Sequence, residues 1–473
     1  MKHLFLTLFL TLLAVPEIFG QRWRYFDRVT FYDVYAGTVS ADDAPLPDGI
    51  QRINNSRVTT LLPEADLDQM ADSLSLEVTI HALCDNYDRI GSVDLVLMPK
   101  DSLTYSDCRH PKPNGGYYLG RLGDTDPAIR RIEVGRFITP FMNKNAQLDS
   151  VPYRWDVSFL LPMLHDRALR DTMNFWLELH VEGVPYAANQ QIAGCAGRND
   201  VFAGTLDLVS SRAVADDVVA DDVASYVVPL VYERYLNSYN PTHTDEEGTL
   251  AAHYRVHLDR PLSDAFFLMI NSNHGANSGG EEYNRRLHYV WVNDWMAQVY
   301  RPGRTSCEPF RRYNTQSNGI YGSGEMSDAS WQSFSNWCPG DVIDNRIIRL
   351  GSVPAGDYDF RLLVPDAQFR GDEGYFPFSL TFFGLGEGRF AGIDAVSDDG
   401  PVRTRLVFDG PMLTVDSPAA VSEWTLLDAA GRRLMVQPGP AVNVSVDRYP
   451  AGTYILLLLM ADGAIETHKF FRP

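Results

Sequence analysis

In the string Cys84-Asp-Asn-Tyr-Asp-Arg89, Asp88 sits between an aromatic ring and a guanidinium, a setting in which a carboxylate could do chemistry. The Arg89 cation could hold Asp88 ionised, and the Tyr87 ring could lie flat against a sugar. A carboxylate held in that state can orient and deprotonate a water. The same residues also suit a turn closed by a surface salt bridge, a common and weak arrangement. A second string, Glu133-Val-Gly-Arg-Phe-Ile-Thr-Pro140, reads as the start of a strand. Among the histidines, His253 and His257 would share one face of a strand and His274 precedes a glycine. No His-x-His occurs, so these are read as surface or hydrogen-bonding residues; no metal and no organic cofactor is expected.

The elements that must position these groups are strands. Ser75–Thr79, Val93–Met98, Phe175–Val181, Tyr289–Val292 and Phe376–Phe383 are strand-sized apolar or alternating runs, separated by Gly, Pro, Asn and Asp turns. Sustained helical periodicity is scarce, with short helices expected only at Asp66–Leu74 and Phe159–Arg167. The fold class is therefore all-β.

With 473 residues the chain is too long for one ordinary core. Lys2 and His3, the apolar run Leu4–Val15 and the break at Pro16 and Gly20 predict an export signal over residues 1–20. No other segment approaches membrane-spanning length. Sixty-one acidic against 41 basic side chains give a formal net charge of −20, which argues against nucleic acid or an anionic membrane as partner. Five cysteines in an exported chain imply at least one disulfide and one thiol left over. Val214-Ala-Asp-Asp-Val218 repeats at once as Val219-Ala-Asp-Asp-Val223, predicting an acidic linker over 212–225 between domains at 21–211 and 226–388. From 391 to 473 the texture becomes that of a small β-sandwich, with turns at Ala430-Gly431 and Asp462-Gly463.

These strings stand in the order found in the bacterial peptide-N-glycosidase F family, which the chain resembles over residues from about 25 to 385. Tyr25-Phe-Asp-Arg-Val29, Tyr226-Val-Val-Pro-Leu-Val231, Gly279-Gly-Glu-Glu-Tyr-Asn-Arg-Arg-Leu-His288 and Trp337-Cys-Pro-Gly340 complete the pattern. The resemblance implies two adjacent antiparallel jelly-roll domains with an active site at their junction. It also implies hydrolysis of the amide between an Asn side chain and the first N-acetylglucosamine of N-glycosylated proteins or peptides. Carried over residue by residue, Asp88 matches the water-activating aspartate and Glu282 a second-domain glutamate, through Glu282-x-x-x-Arg286-x-His288. Glu182 matches a domain-one glutamate, although Glu178 or His180 would take that place after a small shift. Arg89, Tyr87, Tyr283, Glu281 and Trp331 are the implied substrate-binding residues. Cys307 with Cys338 is the expected disulfide, which the resemblance supports, while Cys84 could pair with Cys108 or Cys195.

The C-terminal segments Asp428-Ala-Ala-Gly-Arg-Arg433, Pro450-Ala-Gly-Thr-Tyr-Ile455 and Thr467-His-Lys-Phe470 resemble the sorting domain of the type IX secretion system of Bacteroidetes. This implies a protein secreted or held at the cell surface, with that machinery as a partner. A monomer is expected, and a chain ending near Gly388 should keep its activity. Departures from the family pattern are also legible. Tyr87 and Tyr283 stand where the family has Trp, and Gly280 and Asn284 replace two cysteines. Gly183 and Val184 stand where a Trp follows the domain-one glutamate. An arginine before Trp337 is missing, leaving Arg304, Arg311 or Arg312 to supply a cation. A non-catalytic glycan-binding relative is the alternative reading.

Overall fold

The computed structural model describes residues 20–40, 42–100, 129–211, 223–236, 251–276, 280–316, 327–330, 335–367, 374–387, 394–398, 405–409, 412–416, 420–428, 432–439, 443–446, 448–450, 452–461 and 465–472. Residues 1–19 of the leader expected over 1–20, residues 212–222 of the acidic linker and repeat, Cys108 and Trp331 lie outside them.

Nine strands build the first domain: β1 (Gln21–Tyr32), β2 (Ile50–Asn54), β3 (Arg57–Leu61), β4 (Ala71–Ala82), β5 (Ile90–Pro99), β6 (Arg130–Ile138), β7 (Ser150–Asp156), β8 (Met173–Val181) and β9 (Asp200–Ser211). They form two antiparallel sheets, β1-β9-β4-β7 and β6-β5-β8-β3-β2, the architecture of a jelly roll. Ten more follow: β10 (Val223–Leu236), β11 (Ala251–Leu258), β12 (Asp264–Asn271), β13 (His288–Val292), β14 (Trp295–Tyr300), β15 (Val342–Ile343), β16 (Arg346–Arg349), β17 (Gly356–Leu363), β18 (Phe376–Glu387) and β19 (Asp394–Asp398). Their sheets run β10-β18-β12-β16 and β14-β13-β17-β11-β19, while the short β15 leaves its own domain to pair with β6.

The run Ala265–Ile270 shows why the two domains pack as neighbours. A strand's side chains alternate between faces, so a continuous apolar run needs cover on both. Phe266 and Leu268 belong to the first domain's core, whereas Phe267 and Met269 belong to the second's. Strands β5, β6 and β8 make the converse arrangement. Leu95, Ile132 and Leu179 fill the first core, and Asp94, Arg131, Glu133 and Glu178 point the other way, where domain two buries them. There Arg57 donates to Asp94 (2.5 Å) and Glu178 (2.8 Å), and Tyr232 donates to Asp94 (2.8 Å). Charges buried this deeply are tolerable only when paired and hydrogen-bonded, so removing one partner would be costly.

A third unit holds β20 (Arg405–Asp409), β21 (Met412–Asp416), β22 (Val421–Asp428), β23 (Arg433–Pro438), β24 (Asn443–Ser445), β25 (Gly452–Met460) and β26 (Ile465–Arg472), in sheets β20-β21-β24 and β23-β22-β25-β26. Three expectations are corrected. The segment Asp66–Leu74 is helical only at its start, within Glu64–Leu67, and β4 begins at Ala71, because Leu74, Leu76 and Val78 alternate into the core. Residues 223–225 are strand rather than linker, since β10 pairs with β18 from Val223 onward. Residues 394–398, assigned by sequence to the C-terminal unit, form β19 and pair with β11 in the second domain.

Candidate active site

Three sequence strings meet at the domain junction. The 84–89 turn hangs from β9 through Cys84 N to Asp200 O (3.0 Å) and is tied by the Cys84–Cys195 disulfide, one of the two partners the sequence left open. Asp85 is buried and organises it. Its carboxylate accepts from Tyr87 N (3.0 Å), Val184 N (2.7 Å) and the Arg89 guanidinium (Nε 2.6 Å, Nη2 3.2 Å). Thr139, from the second string, clamps the same turn by donating to Tyr87 O (3.2 Å) and accepting from Arg89 N (2.7 Å). Trp337-Cys-Pro-Gly340 then abuts this strand end: Gly340 N donates to Ile138 O (3.0 Å). Cys307 and Cys338 are bonded, as expected.

From the other side comes the loop carrying Glu282. Its backbone doubles back so tightly that a Cβ at Gly280 would stand 1.7 Å from Gly275 O, which leaves no room there for the family's cysteine. The loop is held by amides instead. Asn336 Nδ2 donates to the carbonyls of Glu281 (2.6 Å), Glu282 (2.7 Å) and Asn284 (3.2 Å), and Asn284 Nδ2 donates to Gly280 O (3.0 Å). Gly275 N donates to Glu282 Oε2 (3.2 Å), which fixes the carboxylate. The loop also connects to the buried charges: Arg136, paired with Glu133, donates to Ser272 Oγ (2.9 Å), which lies 2.8 Å from His274 Nε2.

Asp88 and Glu282 face each other across this junction. Burial first, and then the like charge of Glu282, push the Asp88 carboxyl up to about 7, against a smaller opposing pull from Arg89. This corrects the expectation that Arg89 holds Asp88 ionised. The guanidinium is spent on Asp85, four residues earlier, and reaches Asp88 and Glu182 only through space. The Tyr283 hydroxyl bonds Glu282, and burial with that carboxylate raises it well above the usual phenol range. Tyr87 packs edge-on against Phe141, with Arg89 over its ring at 5.6 Å.

Of the three candidate residues in β8 and just beyond it, Glu178 is buried in the ion network with Arg57 and Arg131, His180 is buried, and the Glu182 side chain is 35% exposed beside His180. The structure thus brings Asp88, Arg89, Glu182, Glu282, Tyr87 and Tyr283 together. It turns Glu281 away: that carboxylate is fully buried and bound by Arg286 (2.9 and 3.1 Å), so it does not face the cleft as expected. Arg304 is held by Asp341 (2.6 Å) and Asp344 (2.9 Å), Arg311 by Glu308 (2.6 Å), and Arg312 donates to Tyr313 (2.7 Å). Sequence reasoning missed Asp85 and Asn336. The first was visible as a carboxylate four residues before Arg89, the second only as a polar residue beside Trp337. A cavity of about 520 Å³ lies elsewhere on the domain junction, lined by Trp155, Phe159, Phe266 and Arg349 and by none of the clustered acids. Among the described residues no His, Cys, Asp and Glu side chains cluster as a metal site would require.

Two jelly rolls with paired carboxylates at their seam define the class of protein. The N-terminal domain model of peptide-N-glycosidase F matches residues 26–196, and its C-terminal domain model matches residues 238–382. The chain belongs to the peptide-N-glycosidase F family. Among solved structures, two crystal forms of PNGF-II align with TM-scores of 0.53 and 0.52 at 18% and 19% identity, a likeness of fold. They cover 77% and 79% of this chain, which spans 65% and 66% of their length. PNGase F, a glycosylasparaginase from Flavobacterium meningosepticum, aligns over 80% of this chain and 99% of its own at 14% identity, with a TM-score of 0.48, too distant to argue from. No curated protein matches the sequence.

Proposed function

We propose that this chain is an amidase that hydrolyses the bond between an Asn side chain and the first N-acetylglucosamine of an N-glycan, converting Asn to Asp. The observation that carries the reading is the Asp88 carboxyl, pushed up to about 7 opposite Glu282 in a cleft of this family's fold. A group poised near neutrality serves proton transfer in both directions. Ionised Asp88 takes a proton from water as its oxygen bonds to the amide carbon, and returns that proton to nitrogen as the carbon–nitrogen bond breaks. Amide nitrogen leaves poorly unless protonated, so the returned proton is essential. Glu282, braced by Gly275 N and Tyr283, and Glu182 hold the substrate, while Arg89, Tyr87 and Tyr283 offer polar and ring contacts to the sugar. No cofactor enters this scheme.

The test is mass spectrometry of an N-glycopeptide incubated with the protein in oxygen-18 water. Asp carrying the heavy oxygen, with intact glycan released, is the expected product. Asp88→Asn should fold yet lose nearly all turnover; a rate within about tenfold, roughly 1.4 kcal/mol of barrier, would remove Asp88 from the role. A second reading, a non-catalytic glycan-binding relative, is favoured by the engagement of Arg304, Arg311 and Arg312 with partners of their own. Binding of the glycopeptide without release would support it. We also propose that the protein is exported and that the C-terminal unit addresses it to type IX secretion. Loss of delivery to the medium or cell surface on deleting that unit is the expected result.

A further inference from the structure

Among the described residues, Tyr35 and Tyr186 are the most exposed large hydrophobic side chains, at 78% and 55%. A lone exposed ring needs no explanation. These two are neighbours that share a carboxylate. The Tyr186 hydroxyl donates to the Asp33 side chain close to Tyr35, and Tyr35 N donates to Asp33 Oδ1 (3.1 Å). The loop beneath them is fixed by the buried Asn55, whose amide donates to the carbonyls of Asp33 (2.8 Å), Gly37 (3.1 Å) and Ala36 (3.3 Å). The buried Asn55 therefore braces the loop that carries Tyr35, and Tyr186 joins that loop through Asp33.

The pair is continuous with the cleft. Val34 N donates to the carbonyl of Gly183 (3.1 Å), the residue after Glu182, and Val184 N donates to Asp85, the partner of Arg89. A Cβ at Gly183 would come within 2.7 Å of Val201, so a ring cannot be carried at that position. Residues 35 and 186 instead carry rings beside Gly183, since Val34 is bonded to Gly183 and Tyr186 stands three residues after it. We propose that Tyr35, Tyr186 and Asp33 form a platform for the neutral sugar units of the glycan that lie beyond the one joined to asparagine. The proposal rests on the amidase reading for which end of the substrate lies here. Tyrosine offers a flat amphipathic face at low entropic cost, suited to the apolar face of a sugar, and the buried Asp33 fixes the two tyrosines relative to each other. A neutral partner also suits a chain of net charge −20.

The experiment compares the wild type with Tyr35→Ala/Tyr186→Ala on two glycopeptides of one peptide sequence, bearing either a single N-acetylglucosamine or a full neutral glycan. KM for the full glycan should rise about tenfold in the variant with kcat unchanged, and the single-sugar substrate should be unaffected. Equal effects on both substrates, or none, would overturn the platform. Titration of the free neutral oligosaccharide, followed by the backbone amide NMR signals of residues 33–37 and 184–188, reads the platform without turnover. Shifts in the wild type that vanish in the variant support it even if no glycan is ever released, in which case only the amidase reading falls. No binding of the oligosaccharide, or a loss of affinity for the unglycosylated peptide instead, would overturn it.

Discussion

Asp88 and Asp85 lie three residues apart in one turn and have opposite assignments. Asp85 collects two backbone donors and a guanidinium, the company of a structural carboxylate; burial raises it above the usual carboxylate range, and these donors oppose that rise. Asp88 is left with burial and a like-charged neighbour, the company of a carboxyl that exchanges protons near neutrality. Since Glu282 is the second cause of the raised value, Glu282→Gln should remove the repulsion and lower the Asp88 titration midpoint below about 7, as followed by the NMR signal of its carboxyl carbon. An unmoved midpoint would mean that burial alone sets it. Asp85 was legible in the sequence as half of a five-residue motif, but which of the two acids takes the arginine was not. Four residues of turn separate Arg89 from Asp85, and only the folded turn brings the charges into contact.

Among the elements, the loop bearing Glu282 is held by hydrogen bonds, with Gly280 and Asn284 at the positions where the family resemblance places cysteines. Gly280 permits the close backbone pass and the Asn336 amide spans three carbonyls of the loop. Asn336→Ala would leave those carbonyls short of a buried donor, at a cost of about 1–3 kcal/mol in stability. The denaturant midpoint should drop accordingly, and substrate affinity should fall because Glu282, which holds the substrate, loses its fixed position. A variant with an unchanged midpoint and affinity would show that the amide clamp is dispensable. A tie made by a hydrogen-bonding residue fifty-odd positions away is invisible to a pattern reading, because the partners are neighbours only through β12 and the Cys307–Cys338 link.

At the scale of the whole molecule, the C-terminal unit is packed rather than merely attached. Leu427, Ile455 and Leu457 cluster with Tyr289, Trp291 and Leu363 of the second jelly roll, and β19 completes that domain's sheet beside β11. A chain ending at Gly388 would therefore lose an edge strand and uncover apolar surface, each buried side chain being worth about 1.5–3 kcal/mol. Its melting temperature should fall by several degrees and light scattering should report association, a cost to stability that the retained activity expected from sequence did not foresee. An identical melting curve would show that this packing adds nothing. No helix among the described residues is long and apolar enough to cross a membrane.

The all-β class follows from the sequence by itself, because strand alternation and turn residues are local properties; the double jelly roll and the meeting of the strings at its junction were legible only as what the family resemblance implies. The pairing of Cys307 with Cys338 was also legible, on the strength of resemblance. Tertiary structure alone decided that Glu178 is buried while Glu182 stays partly exposed, since the two alternate onto one side of the chain along β8 and just past its end and only the docking of domain two buries the first. It alone turned Glu281 onto Arg286, set Cys84 against Cys195 and took residues 394–398 into the second domain. Each of these depends on what lies across space from a residue, and the charge state of Asp88 depends on it most, being set by desolvation and by a carboxylate from the other domain.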